Sequence, residues 1–507
     1  MNCKKLFGAI LLASLAFAAC KKDPTDDPII DPPVEAVVPE KIDSFKEIAS
    51  IDLGSATAAE ISAYDPSTKK LFVVSNDGGT KVEVVDMSSY PTVTKLRTIS
   101  FANNAGINSV SVSNGLLAIA LNGSDPQANG DVVVLKTATL DEVKKITVGA
   151  MPDMVTFSPD GNYILSANEG EPNTAYTVDP KGTVSIISIK DNYSVKTVDF
   201  SAFESQKATL LAGGFRIYGL NASFTQDIEP EYIAVSADSK KAYVTLQENN
   251  GVAEVDIVAG IITKINPLGL KDISLAQNAF DTAEDGKYDP KTWPLKAYYL
   301  PDAISFFTVS GTNYLALANE GDTRDWDGYK EETTVKKVKL NPAKFPDAAT
   351  LQLDANMGKL TITTSAGMKD GMYDELFAVG GRSVTILNAS TGALVAEIGK
   401  DLEQHVADVS KYVDSRSTKK GVEVEGVTVA QVNGETLAFI GMERVDMIAV
   451  YNLSNPSAPK FVQIFATGDA PEGLMFVKPK DSPNGRSLLI VSNEDDGTVK
   501  FFQPDKI

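Results

Sequence analysis

Short apolar runs alternate with polar turn clusters along almost the whole chain. Tyr163-Ile164-Leu165-Ser166-Ala167, Tyr314-Leu315-Ala316-Leu317-Ala318 and Leu488-Leu489-Ile490-Val491-Ser492 are typical runs, and Ser158-Pro159-Asp160-Gly161, Thr391-Gly392 and Asn433-Gly434 are typical breaks. Runs of this length, rich in Val, Ile, Tyr and Phe and bounded by turn residues, predict β-strands. Further strands are predicted at Thr183–Ile187, Val252–Asp256, Met447–Tyr451 and Thr498–Phe502. No long stretch carries a helical period.

The runs belong to a repeat. Asn168-Glu169-Gly170-Glu171 returns as Asn319-Glu320-Gly321-Asp322 and, loosened, as Asn493-Glu494-Asp495-Asp496-Gly497. Ahead of each lies a shared lead: Met151-Pro152-Asp153, Leu300-Pro301-Asp302 and Ala470-Pro471-Glu472, each followed by an apolar stretch. Further copies start at Glu229-Pro230-Glu231 and Val424-Glu425-Gly426, and weaker ones near Glu60 and Asn108. About seven leads at a spacing of roughly 40–45 residues match four-stranded propeller blades. The expected fold is therefore all-β, a single β-propeller with seven blades, or eight if Glu375–Val379 with Ser383–Leu387 forms its own blade. The other reading of that segment is that it completes the copy begun at Pro301 after a long insertion. Ile48–Leu53 is expected to supply an outer strand to the last blade, since radial repetition leaves only short, protected edges. The propeller would span 45–507, with inserts at about 257–300 and 321–372.

The first residues carry an address. Lys4 and Lys5 precede an apolar stretch to Ala19, too short to span a bilayer and suited to a signal peptide over 1–19. Phe17-Ala18-Ala19-Cys20 resembles a bacterial lipoprotein cleavage site, so Cys20 is the expected lipidation site. Residues 20–44, rich in Pro and Asp, read as an extended tether. The implied location is the outer membrane, held by lipid, with exposure at the cell surface expected. Cys3 and Cys20 are the only cysteines, which leaves the folded part without thiol chemistry.

Charge narrows the function. There are 67 acids against 47 bases, a net charge of −20, and no basic cluster with interleaved aromatics. Nucleic acid is thus excluded as a partner. The single histidine, His405, cannot build a multi-histidine metal site or a Ser-His-Asp triad, and reads as a surface residue. In a propeller, the lead into each inner strand and the link after the second strand share one face. Glu60, Asp153, Glu231, Asp302, Glu425 and Glu472 form the first set. Asp77, Glu169, Glu248, Glu320, Glu443 and Glu494 form the second. Such a density of carboxylates suits a hard cation, with Ca²⁺ the expected cofactor. The expected metal ligands are Asp153, Glu169, Glu231, Asp302, Glu320, Glu425, Glu443, Glu472 and Glu494. Asn168 and Asn319 would add binding groups, and Arg216, Arg324, Arg382 and Arg444 inner counter-charges. The competing reading is that these acids cap turns.

Gln226-Asp227-Ile228-Glu229-Pro230-Glu231-Tyr232, Tyr243–Asn250, Ala318–Asp322 with Asp325-Trp326-Asp327-Gly328-Tyr329, and Gly380-Gly381-Arg382-Ser383 together resemble the choice-of-anchor I domain over about 45–505. The resemblance implies an extracellular propeller held to the cell surface and similar to the mesenchyme-specific cell-surface glycoproteins. It carries over no catalytic residue. Two function classes are compatible with these features. One is a surface module that binds a ligand, glycan or protein through a Ca²⁺-loaded acidic mouth. The other is a metal-dependent hydrolase of phosphoesters or lactones.

Overall fold

The apolar runs at Tyr163, Tyr314 and Leu488 each fold as the second strand of a four-stranded antiparallel sheet, an inner position where both strand faces are covered. Leu488–Asn493 is buried along its whole length, whereas the outer strand Thr94–Ser100 is almost wholly exposed. Burial on both faces is why the second strands read as continuous apolar runs rather than alternating ones. The computed structural model describes residues 39–507; the expected signal peptide, Cys20 and the expected tether up to residue 38 lie outside the described residues.

Among the described residues seven sheets have four strands. Their first strands are Ser62–Asp65, Ile107–Ser113, Pro152–Phe157, Pro230–Val235, Ile304–Val309, Val424–Val432 and Pro471–Val477. Numbered 1 to 7 in that order, the sheets touch through these first strands in sequence, and sheet 7 touches sheet 1. Between neighbouring sheets lie apolar layers. Phe72, Val74 and Ile119 fill the space between sheets 1 and 2. Phe439, Leu489 and Phe45 do the same between sheets 6 and 7. Each such side chain stabilises the fold by about 1.5–3 kcal/mol relative to exposure.

The fourth strand of sheet 7 is Lys46–Asp52, paired antiparallel with Thr498–Gln503. Just ahead of it, Lys41 N donates to Asp505 O at 2.9 Å, and the Glu40 carboxylate accepts from Ser487 N at 3.2 Å. The candidate eighth unit is resolved into two parts. Ser383–Asn388 is the third strand of sheet 5, paired with Thr312–Asn319, so it completes the copy begun at Pro301. Phe377–Ala378 joins a different, five-stranded sheet.

That sheet is built from both inserts. It runs Lys271–Asp272, Lys296–Ala297, Phe377–Ala378, Thr361–Thr363 and Glu332–Thr334. Its core holds Ile273, Phe280, Leu295, Phe345, Met357 and Ile362. The two inserts are thus one subdomain, drawn together because neither has enough apolar surface to bury alone. Short helices went unread in the sequence; the longest among the described residues is Lys400–Asp408, whose Leu402 and Val406 are buried four residues apart. His405 lies on it, partly buried and stacked on Phe461 at 3.6 Å. Among the described residues no helix is long and apolar enough to cross a membrane.

Candidate functional site

The repeated lead has a backbone mechanism. Met151, Leu300, Glu423 and Ala470 all take positive φ, between 45° and 56°, immediately before Pro152, Pro301, Val424 and Pro471. A left-handed turn at four non-glycine positions is strained, and such strain gathers at functional sites. A register shift occurs in five of the seven first strands, skipping Asn108, Asp153, Glu231, Glu425 and Glu472. A β-bulge re-aims the skipped side chain. Here it turns the lead residue out of the ladder and into the space where the first strands converge.

That space is a cavity of about 510 Å³. All six lead acids line it: Glu60, Asp153, Glu231, Asp302, Glu425 and Glu472. Asn108 stands in the seventh place, that of sheet 2. Three acids from the ends of second strands join them, namely Glu320, Glu443 and Glu494. The carboxylate oxygens Glu231 Oε2, Glu425 Oε2 and Glu472 Oε2 are buried without a hydrogen-bond partner. The lining also has an apolar part, Ile61, Met154, Tyr232, Val427 and Leu474.

Burial and crowding suppress ionisation. Burial, with Glu494 and Asp153 adding repulsion, raises Glu60 to about 8, despite the amide of Asn76 at 2.9 Å. Burial lifts Asp153 to about 6. Glu443 is lifted to about 7 by burial, against the pull of Arg444. Glu231, Asp302, Glu425 and Glu472 are pushed well above the usual carboxyl range, by burial first and neighbouring carboxylates second. These groups accept either protons or a cation.

Cations are distributed unevenly around the rim. Glu320, Glu423 and Glu443 bring one oxygen each within 4.8 Å of one another. That trio is already balanced. Lys420 Nζ lies 3.1 Å from Glu320, Arg444 Nε lies 2.8 Å from Glu423, and Arg416 also pairs with Glu423. The lead acids have no such partner among the described ion pairs.

The remaining expected site residues lie elsewhere. Glu169 is buried and does not line the cavity; its carboxyl is raised by burial, then by Glu171, Glu231 and Asp153. Glu248 is buried too, and Asp77 accepts from Ser55 N at 3.2 Å, tying two loops together. Asn168 and Asn319 are fully buried and point at third strands. Asn168 Nδ2 donates to Ser185 Oγ at 3.0 Å, and Asn319 Nδ2 to Thr385 Oγ1 at 2.7 Å. They hold the sheet together at the end of its second strand. Of the four arginines only Arg444 reaches the cavity. Arg216 pairs with Glu331 and stacks on Tyr218, 4.0 Å from its ring centre. Arg324 lies 2.9 Å from Asp227 and 2.8 Å from Glu229. Arg382 donates to the carbonyls of Asp281 and Ser417, at 2.9 and 2.8 Å, over the Phe280 ring. These three fasten the inserts. Sequence reasoning missed Lys420, Arg416 and Glu423, which sit in the loop before sheet 6, outside the repeated motif.

Residues 60–456 match the choice-of-anchor I domain. The chain belongs to that family. Among curated proteins it is similar to gigasin-3a of Magallana gigas, at 29% identity over 30% of this chain and 66% of that protein. It is also similar to a mesenchyme-specific cell surface glycoprotein of Strongylocentrotus purpuratus, at 24% identity over 48% of this chain and 38% of that protein. The match thus spans less than two thirds of either relative's length. Among solved structures, Kuenenia stuttgartiensis hydrazine synthase superposes with a TM-score of 0.50 at 14% identity, covering 90% of this chain and 97% of that one. The β-propeller domain of Cps50 (Swd1) from Myceliophteria thermophila gives 0.47 at 9% identity, over 91% and 100%. The hydrazine synthase likeness concerns the fold alone.

Proposed function

We propose that this choice-of-anchor I chain is an extracellular β-propeller of seven blades, held to the outer membrane by lipid on Cys20. Its acidic cavity binds a divalent cation and, through the loaded mouth, a glycan or protein partner. One observation carries the reading: six lead acids are turned into a single cavity, and three of them keep a buried carboxylate oxygen with no partner. A buried, unpaired acceptor costs about 1–3 kcal/mol, so the ring favours whatever cation satisfies it. Ca²⁺ takes six to eight oxygens at about 2.3–2.6 Å, commonly with waters among them. The lead acids do not bring three oxygens within 4.8 Å of one another, so they would share the ion through bridging waters. Glu231, Glu425 and Glu472 would hold it. The Glu320, Glu423 and Glu443 trio would not, because lysine and arginine already neutralise it.

A cation that binds only the folded state adds RT ln(1 + [L]/Kd), about 2.7 kcal/mol at a hundredfold excess over Kd. Calcium should therefore raise the melting temperature and EDTA lower it. Glu231→Gln with Glu425→Gln should blunt the response, while Glu320→Gln leaves it intact. Identical melting in calcium and EDTA would refute the cation site.

A second reading, a metal-dependent phosphoesterase or lactonase, draws on Asp153, Glu443 and Glu60. Their protons leave at about 6, 7 and 8, the range a general acid or base needs. Calcium-dependent turnover of a phosphoester or lactone, lost in Glu443→Gln, would select it; no turnover across both substrate classes would dismiss it.

A further inference from the structure

A second cavity, of about 850 Å³, opens where the insert subdomain meets sheet 5. It shares no lining residue with the acidic cavity, so a ligand here would bind independently of any cation there. Volume and placement between two subdomains are those of a small-molecule site.

One wall holds an ion pair between buried Lys271 and half-buried Glu397. Lys271 is 3% exposed, with Nζ 2.7 Å from Glu397 and 2.7 Å from the Gly381 carbonyl it donates to. Buried Tyr299 lines the cavity beside the pair. Gly399 also lines it, and a methyl group on Gly399 would stand 3.2 Å from Lys271 Nζ. Glycine at 399 therefore keeps the ion pair open to the cavity. The rest of the lining is mixed. Leu270, Leu275 and Leu394 are 36%, 43% and 55% exposed, and the amides of Gln277, Asn278 and Gln404 line the cavity with them, as do Asp272, Lys400 and Asp401, so cationic and anionic groups both face the space.

This combination selects among ligand classes. A purely apolar occupant would strip water from the ion pair and offer nothing in return. A net-charged occupant would satisfy one member of the pair and oppose the other. A neutral ligand whose adjacent groups both donate and accept satisfies ammonium and carboxylate together. Its carbon faces could then lie on the leucines.

We propose that the cavity between the insert subdomain and sheet 5 binds a neutral polyhydroxylated ligand, a saccharide, with neighbouring hydroxyls on Lys271 and Glu397 and C–H faces against Leu270 and Leu394. The test uses the full chain and saturation-transfer NMR. The probes are glucose, galactose, mannose, N-acetylglucosamine, maltose and lactose, with acetate and methylammonium as charged probes. At least one sugar should receive saturation at its C–H protons, undiminished by EDTA and in Glu231→Gln. Leu394→Asp, at an exposed rim position, should cut the signal at least tenfold with the melting temperature unchanged, and Lys271→Met should abolish it. No transfer to any sugar would overturn the proposal. So would sugar binding that survives Leu394→Asp, or stronger transfer to either charged probe.

Discussion

Glu60 keeps its proton to about pH 8, where a carboxyl in water would have lost it near 4.5. The difference is written into stability. A carboxyl whose value is raised on folding binds its proton more tightly in the folded state, so its contribution is full below the unfolded value and is lost as pH rises through the folded one. Without calcium the melting temperature should therefore fall as pH rises from about 4.5 to about 8, the window set by Glu60. Calcium at pH 8 should restore most of the loss. A scan of melting temperature against pH, with EDTA and with calcium, checks both; a flat profile in EDTA would show that the acids are not buried together. The lead acids were legible in the sequence because a repeat marks them at fixed places. Asn168 and Asn319 were legible as a motif but not as a role, since an amide beside a carboxylate looks like a ligand until its partner strand is known. Asn319→Ala should cost about 1–3 kcal/mol in urea unfolding, because Ser383 and Thr385 lose a buried partner. Lys420 was not legible at all: a lysine in a loop has no pattern that ties it to Glu320, 100 positions away.

At the scale of elements, the two-strand repeat predicts sheets well because sheets 1, 2, 3, 4 and 6 each come from one continuous stretch. Sheet 5 hides its third strand behind residues 320–382, and only pairing between Thr312–Asn319 and Ser383–Asn388 reveals it. The helix Lys400–Asp408 is too short to establish a period. The inserts read as two separate loops because a sequence gives no sign that distant segments share one core. Arginines join that core to the sheets. Arg324, 2% exposed, meets Asp227 and Glu229 and lies over Tyr218, 4.6 Å from its ring centre. Removing one partner of a buried ion pair costs about 3–5 kcal/mol, since it strands the others. Arg324→Ala should lower stability by about that much and free the 321–334 segment for proteolysis. Arg324→Lys should recover little, because a single ammonium cannot face both carboxylates.

For the whole molecule, the order of contacts around the sheets supports one cooperative body. Limited proteolysis should leave residues 45–507 together, apart from nicks in the inserts; recovery of two independently folded halves would contradict this. Cys20→Ser should release the protein from membranes into the soluble fraction, and persistence in the pellet after a carbonate wash would remove the lipid anchor from the account. The strand Lys46–Asp52 gives these two tests a common point. It completes sheet 7 and is also the first strand after the stretch proposed to run to the membrane. Any pull on a tethered copy, from flow or from a bound partner, would reach the fold at this end. Residues Glu40 and Lys41, bonded to Ser487 and Asp505, stand ahead of the strand as a clasp. Mechanical load on such a tether would thus be met by side-chain and backbone bonds outside the sheets before it could peel the strand away.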